Sequence, residues 1–348
     1  MKQNNTHPYK ILVVGPSWVG DMIMAQTLFK LLKQQHPNAI IDVLAPGHSA
    51  PVVTRMPEIR KLIDLPIKHG ELALAKRYRL GKLLRAEHYS QAIVMPRSYK
   101  SALVPFFARI PKRTGWRGEY RYGLLNDIRH LDEAKLPLCV QRFAAHALSK
   151  DASLPAELPW PRLAESAQSL ASTLSAHPVP VQTGQPILAL CPGAAFGEAK
   201  RWPAEHYAAV AQEKLNQGWA VWLFGSAVEK VQTQQIQDLC QGRCVDFAGE
   251  LQLTQTIDLL TCVSAVVAND SGLMHISAAL EKPLVVVYGS TSPKFTPPLS
   301  HHVKMVSLGL SCSPCFKRVC PLGHLNCLKQ LSPDLVLKNL SQLMTESE

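Results

Sequence analysis

No uninterrupted apolar run in the chain approaches the ~18 residues of a membrane helix. With 47% hydrophobic residues and a mean hydropathy near zero, the composition is that of a soluble globular protein. No Gly-x-Gly-x-x-Gly follows any strand-like segment, which argues against a dinucleotide oxidoreductase. Zinc-finger spacing, an RNP-type motif and a helix-turn-helix pattern are also missing, which argues against a nucleic-acid-binding module. There is no Asp-x-Asp and no His-Glu pair at metal spacing, so no carboxylate pair is offered to a metal bridging a diphosphate. Acidic residues are scarce in one half only. Residues 1–150 hold 24 Lys and Arg against 10 Asp and Glu, whereas residues 151–348 hold 13 against 16. The first half is therefore expected to face something large and anionic, such as nucleic acid or a phosphorylated membrane surface.

The opening MKQNNTHPYK is polar and leads straight into a strand pattern, unlike a signal peptide, so a cytoplasmic location is expected. The nine cysteines are then expected to be reduced. A length of 348 residues favours two domains. Short β-branched runs alternate with helical patterns along both halves: Ile11 to Val14, Ala39 to Ala45, Leu62 to Pro66 and Ala92 to Pro96, then Ile187 to Gly193 and Trp219 to Ser226, each read as strand and loop, Ser264 to Ala268 and Leu284 to Ser290. Such alternation predicts parallel sheets covered on both faces. Glu71 to Glu87 reads as a basic amphipathic helix, and Lys112 to Asp127 as a basic, aromatic-rich loop. The expected architecture is α/β, with two Rossmann-like doubly wound domains facing a central cleft. Residues 1–165 are expected to form the first domain, 166–186 a linker and 187–332 the second domain, with a loosely held helix in the Pro/Ser/Ala-rich stretch Asp151 to Pro186. A last helix, 333–348, is expected to pack back on the first.

Strand ends are where such folds bind ligands. In KILVVGPSWVGDMIM, Gly15 and Gly20 have nearly the spacing of a phosphate loop, but Asp21 and Met22 stand where that motif has Lys and Ser or Thr. A carboxylate there repels phosphate, so the loop must serve something else. The second half holds three better candidates. PGAAFGEAKRWP offers Gly193 for close backbone approach, with Lys200 and Arg201 as cations. NDSGLMH opens a helix whose Ser271 and Gly272 amides point outward at its positive end, although a plain N-cap is the alternative. Phe224-Gly225-Ser226 leads to Glu229, a carboxylate placed for ribose hydroxyls. Together they describe a nucleoside diphosphate site. Lys200 and the helix terminus would neutralise the leaving group, making a metal-independent transfer the expectation. Cys312, Cys315, Cys320 and Cys327, with His324 among them, fall within 16 residues. A second Cys-x-x-Cys is missing, so a structural metal and plain reduced thiols both stay open.

GPSWVGDMIMAQTLF, TGWRGEYRYGLLND, CPGAAFGEAKRWP and NDSGLMHISAAL closely resemble the lipopolysaccharide heptosyltransferases of glycosyltransferase family 9, over about Lys10 to Pro298. The resemblance implies a GT-B fold, ADP-heptose as donor substrate with no further cofactor, and inversion at the anomeric carbon. The implied acceptor is the first heptose on Kdo-lipid A, reached by peripheral association at the cytoplasmic face of the inner membrane. Transfer to another inner-core position is the alternative. By position, Asp21 matches the family's proposed general base and Lys200 the lysine at the donor phosphates. Ser271 and Gly272 match the phosphate-contacting turn, flanked by Asp270 and His275, and Glu229 corresponds less closely to the ribose-binding acid. Ser17, Trp18, Arg97, Lys100, Arg113, Arg117 and Arg121 are the acceptor-side candidates, arginine being the better bidentate partner for phosphate and carboxylate.

Overall fold

The structure is a computed structural model that describes residues 8–67, 70–179 and 182–346. The polar residues 1–7, positions 180–181 of the expected linker and the last two residues lie outside them. The chain divides into two units, Met1–Pro161 and Arg162–Glu348.

The first unit runs β1 (Lys10–Val14), α1 (Val19–Gln35), β2 (Ile40–Ala45), α2 (Ala50–Val53), β3 (Ile59–Asp64), α3 (Leu74–Leu84), β4 (Gln91–Val94), α4 (Leu103–Phe107), β5 (Lys112–Trp116), β6 (Asp127–Arg129) and α5 (Cys139–Ala144). The strand order is β3-β2-β1-β4-β5-β6, and every pairing is parallel. Ile11, Leu12, Val13, Ile41, Val43, Ile93 and Val94 are fully buried, as continuous β-branched runs covered on both faces require. Lys112 to Trp116, expected as loop, is a strand. Its buried Thr114 and Gly115 pair with Ile93 and Val94 of β4, Trp116 pairs with Arg129 of β6, and its charges are confined to its first two residues, Lys112 and Arg113.

The second unit repeats the plan: α6 (Ala167–Ala176), β7 (Ile187–Cys191), α7 (Ala204–Asn216), β8 (Ala220–Leu223), α8 (Lys230–Leu239), β9 (Val245–Asp246), α9 (Leu253–Thr261), β10 (Ala265–Asn269), α10 (Gly272–Ala279), β11 (Leu284–Val287), β12 (Val303–Val306), α11 (Asn326–Lys329) and α12 (Pro333–Glu346). Its order, β12-β11-β10-β7-β8-β9, is the same doubly wound arrangement. In each sheet the order reverses between two neighbours, β1 and β4 or β7 and β10, and the loops leaving their carboxyl ends flank the crevice where such sheets bind ligands.

Residues 167–176, within the stretch expected to hold a linker and a loose helix, form α6, whose Ser169 and Thr173 hydroxyls donate to buried Asp258 at 2.6 and 2.9 Å. The last helix spends its apolar face on the second unit: Val336, Leu340 and Leu343 join a core with Tyr207, Val210, Val285 and Val306. Its i, i+4, i+7 stripe is thus buried within the second unit.

Candidate functional site

In the first unit, Gly15 lets α1 start hard against the sheet, since a Cβ there would meet Met22 Cε at 2.7 Å. Asp21 falls in the first turn of α1, where the helix dipole favours an anion. It lies near Cys139 of α5, whose thiol is pushed up to about 12 by burial and by the Asp21 charge. The Ser17 carbonyl is held by His48 Nε2 at 2.7 Å, and Trp18 stays exposed.

The loops after β4 and β5 are tied to each other. Gly118 passes so close to Arg97 that a Cβ would meet the Arg97 carbonyl oxygen at 2.0 Å, and Glu119 Oε2 accepts from the Tyr99 amide at 2.7 Å. This leaves the Arg97 side chain largely exposed, with only a long contact of 3.8 Å to Glu133. Lys100 is half-buried and Arg117 is exposed. Arg121 needs correction as an acceptor residue. It is 2% exposed, and its guanidinium donates to the carbonyls of Pro96 (2.7 Å) and Trp116 and to Ser101 Oγ (3.1 Å). Burial lowers its pKa to about 10. A guanidinium committed to loop carbonyls positions the loop and cannot clamp a ligand. Arg113 is similarly committed, donating to the Leu124 and Ile110 carbonyls at 2.6 Å each. Exposed Tyr99, Tyr120 and Tyr122 stand on these same loops. Their aromatic interleaving with arginine was the available signal, but it did not single them out.

In the second unit, Asn269 at the end of β10 organises the donor-side loops. Fully buried, it donates to the Pro192 carbonyl at 2.5 Å, while its Oδ1 accepts from the Trp202 amide (3.2 Å) and Tyr207 hydroxyl (3.0 Å). This fastens the end of β7 and the start of α7 to β10. Next along the chain, Asp270 is 5% exposed; its Oδ2 accepts from Lys200 Nζ at 2.6 Å and Thr291 Oγ1 at 2.5 Å. Asp270 thus fixes the position of the Lys200 ammonium. The same ammonium lies 4.9 Å from the centre of the Phe196 ring, over which Arg318 also sits.

Ser271 precedes α10 at its N-cap, and its hydroxyl oxygen is buried with no hydrogen-bond partner among the described residues. It stands beside the amides at the start of α10, the kind of helix end that can accept an anion. His275 is buried behind this turn. Burial lowers its pKa to about 4, opposed by Asp270 and aided by Lys200, so the ring is neutral near pH 7. Glu229 Oε2 accepts from the amide and hydroxyl of Ser226, both at 2.8 Å, in a capping box. Gly193 makes room for it: a Cβ there would meet Glu229 Oε1 at 2.0 Å. Glu229 also lines a cavity of about 350 Å³ with Arg201, Trp202, Val228, Gln232 and Lys329.

The cysteine-rich segment braces these loops. Arg318 O accepts from the Ala199 amide at 3.1 Å, and Phe316 N donates to the Ser290 carbonyl at 2.7 Å. Its four cysteines are free, and among the described residues no three His, Cys, Asp or Glu are arranged to hold a metal ion.

This geometry can be set beside known proteins. The profile of glycosyltransferase family 9 (heptosyltransferase) matches residues 77–326. The chain is 46% identical to lipopolysaccharide heptosyltransferase 2 of Salmonella typhimurium, over 97% of this chain and 99% of that one. It is 45% identical, with the same coverage, to lipopolysaccharide heptosyltransferase 2 of Escherichia coli. The solved structure of E. coli ADP-heptose LPS heptosyltransferase II superposes with a TM-score of 0.87 at 43% identity, covering 97% of this chain and 99% of that chain. The profile, the full-length identity and the paired doubly wound sheets agree: the chain belongs to glycosyltransferase family 9, the heptosyltransferases.

Proposed function

We propose that this glycosyltransferase moves L-glycero-D-manno-heptose from ADP-heptose onto the first heptose of the lipopolysaccharide inner core, inverting the anomeric centre. The observation that carries the reading is full-length similarity to relatives named lipopolysaccharide heptosyltransferase 2. The donor-side geometry supports it. At the start of α10, the Ser271 hydroxyl and the helix amides suit a diphosphate, and Lys200 is held for it by Asp270. As the bond from the anomeric carbon to the diphosphate oxygen breaks, negative charge grows on ADP. A fixed cation and oriented amides stabilise that charge more in the transition state than in the ground state. Glu229, set beside Gly193, is the candidate for the ribose hydroxyls, and no cofactor beyond the donor substrate is called for.

Asp21 is assigned the role of general base. The acceptor hydroxyl oxygen forms the new bond on the face opposite the leaving diphosphate, and its proton passes to the Asp21 carboxylate. A carboxylate suffices when proton removal is late and the sugar has oxocarbenium character. Arg97, Lys100 and Arg117 are the cations offered to acceptor phosphates and carboxylates, and Trp18, Tyr99 and Tyr120 the aromatic faces offered to its sugars. The acceptor, heptosyl-Kdo-lipid A, is lipid-anchored. Such an acceptor calls for a protein that works in the cytoplasm, peripheral at the inner membrane through its basic first unit. Acceptors carrying zero, one or two heptoses test the reading. Turnover is expected on the one-heptose acceptor, and turnover on the heptose-free acceptor alone would refute it.

A further inference from the structure

Helices α3 and α4 pack as a pair on one face of the first sheet. Their approach requires Gly81, where a Cβ would meet Phe107 Cβ at 2.5 Å and the Val104 carbonyl oxygen at 3.0 Å. Arg85 Nε donates to the Phe107 carbonyl at 2.9 Å, and the Tyr78 ring meets Phe107 edge-on at 5.2 Å. Arg77, 4% exposed, donates to the Leu72 carbonyl and pins the segment entering α3. The inward side is therefore complete.

The outward side is not that of an ordinary solvated helix. Leu83 is 72% exposed, Leu72 and Leu74 50%, Tyr78 44% and Phe106 41%. Lys76, Arg79, Lys82 and Arg109 are exposed among them. Lys82 leans over the Tyr78 ring at 5.8 Å; none of these four cations has an ion-pair partner among the described residues. Of the nearby acids, Glu87 is already engaged by Lys10, Arg60 and Lys61, which leaves Glu71. Exposed leucines and aromatics interleaved with unpaired lysine and arginine form the pattern of an interfacial surface, with apolar groups entering the acyl boundary and cations at the headgroups. A nucleic acid would leave the leucines without a partner. The position also fits: β3, β1 and β4 run parallel, so the chain leaving β3 toward α3 starts at the same carboxyl end of the sheet as the loops leading to Asp21 and Arg97.

We propose that the outer face of α3 and α4, with Leu72, Leu74, Tyr78, Leu83 and Phe106 as anchors and Lys76, Arg79, Lys82 and Arg109 as headgroup contacts, is the surface by which this protein docks on an anionic lipid bilayer. The proposal rests on the reading of a lipid-linked acceptor and adds the residues that meet the membrane. It is tested on the full chain by co-sedimentation with vesicles of equal parts phosphatidylethanolamine and phosphatidylglycerol, against pure phosphatidylcholine.

Wild type binds the anionic vesicles and releases with salt. A cation near such a surface contributes about fivefold to partitioning, so Lys76→Gln/Arg79→Gln/Lys82→Gln should weaken binding on the order of a hundredfold. Lys135→Gln/Lys150→Gln, elsewhere on the same unit, should leave it nearly unchanged. Leu83→Ser/Leu74→Ser should also weaken binding, and it decides the matter if the charge variant fails to fold. Turnover on a delipidated, water-soluble acceptor should be unaffected in all of these variants. Vesicle binding by both surface variants equal to wild type overturns the proposal, as does a wild type that ignores anionic vesicles; either result leaves the transfer reading standing if soluble turnover persists. Anionic-vesicle binding that depends on these residues, without heptosyl transfer to any acceptor, would uphold the surface and refute the transfer reading.

Discussion

Replacing Lys200 separates its role in the fold from the donor role proposed for it. Its Nζ lies 2.6 Å from Asp270 Oδ2, with side chains 13% and 5% exposed. Removing one partner of a buried pair costs about 3–5 kcal/mol, because the other charge stays behind without compensation. In Lys200→Met, Asp270 keeps the Thr291 hydroxyl. The cost should then fall near the lower end, about 3 kcal/mol, or a midpoint about 6–12 °C lower for a unit of this size. Adding Asp270→Asn removes the stranded charge while keeping an oxygen for Thr291, so the double variant should regain most of the lost stability. Donor affinity should not follow. A charge-assisted hydrogen bond is worth about 1.5–3 kcal/mol, so both variants should bind ADP about ten- to a hundredfold more weakly. Thermal unfolding and calorimetric titration with ADP read the two effects independently. A double variant as unstable as the single one would refute the pair as the source of the loss. Wild-type ADP affinity in both would remove Lys200 from the phosphate site.

Asp21→Asn should lower turnover by about 10²–10⁴ while leaving ADP affinity unchanged, and more than about a tenth of wild-type turnover would exclude Asp21 as base. His146 is fully enclosed, with neither ring nitrogen hydrogen-bonded among the described residues; burial, and then the Arg129 and Arg121 charges, lower its pKa from 6.5 to about 3. Between those values the unfolded chain takes up a proton that the native chain refuses, so stability falls as pH drops from 6.5 toward 3. Urea unfolding at pH 7 and pH 5 should show about 2 kcal/mol less pH-dependent loss in His146→Leu than in wild type. Arg121→Met should destabilise by about 2–3 kcal/mol through its abandoned carbonyls. Arg117→Ala should stay within about 0.5 kcal/mol of wild-type stability and instead raise the acceptor KM. Equal stability losses in these two variants would contradict the division of roles between them.

The alternation of β-branched runs with helical stripes was enough to specify two parallel, doubly wound units, because burial on both faces leaves a strand little chemical choice. It also placed the strand-end loops, since Gly15-Pro16, Pro192-Gly193 and Asp270-Ser271-Gly272 each stop a strand at its carboxyl end. Local chemistry put Asp21 at a helix start and Ser271 beside open amides. What tertiary structure alone decided is which charges are available. Arg117 and Arg121 are four residues apart in one basic loop, yet one is exposed and the other is enclosed by the carbonyls of β4 and β5 ends that pair only on folding. Lys112 to Trp116 was hidden as a strand because its charged start and its glycine interrupt the apolar run expected of a strand paired on both sides. Lys200 and Asp270 are 70 positions apart, and nothing in either neighbourhood announces the other. The last helix carries an apolar stripe that suits any partner, and only the packing of Val336, Leu340 and Leu343 selects the second unit. Periodicity records whether a residue is covered, whereas the identity of what covers it depends on strand order and loop closure, which bring together residues that are remote along the chain.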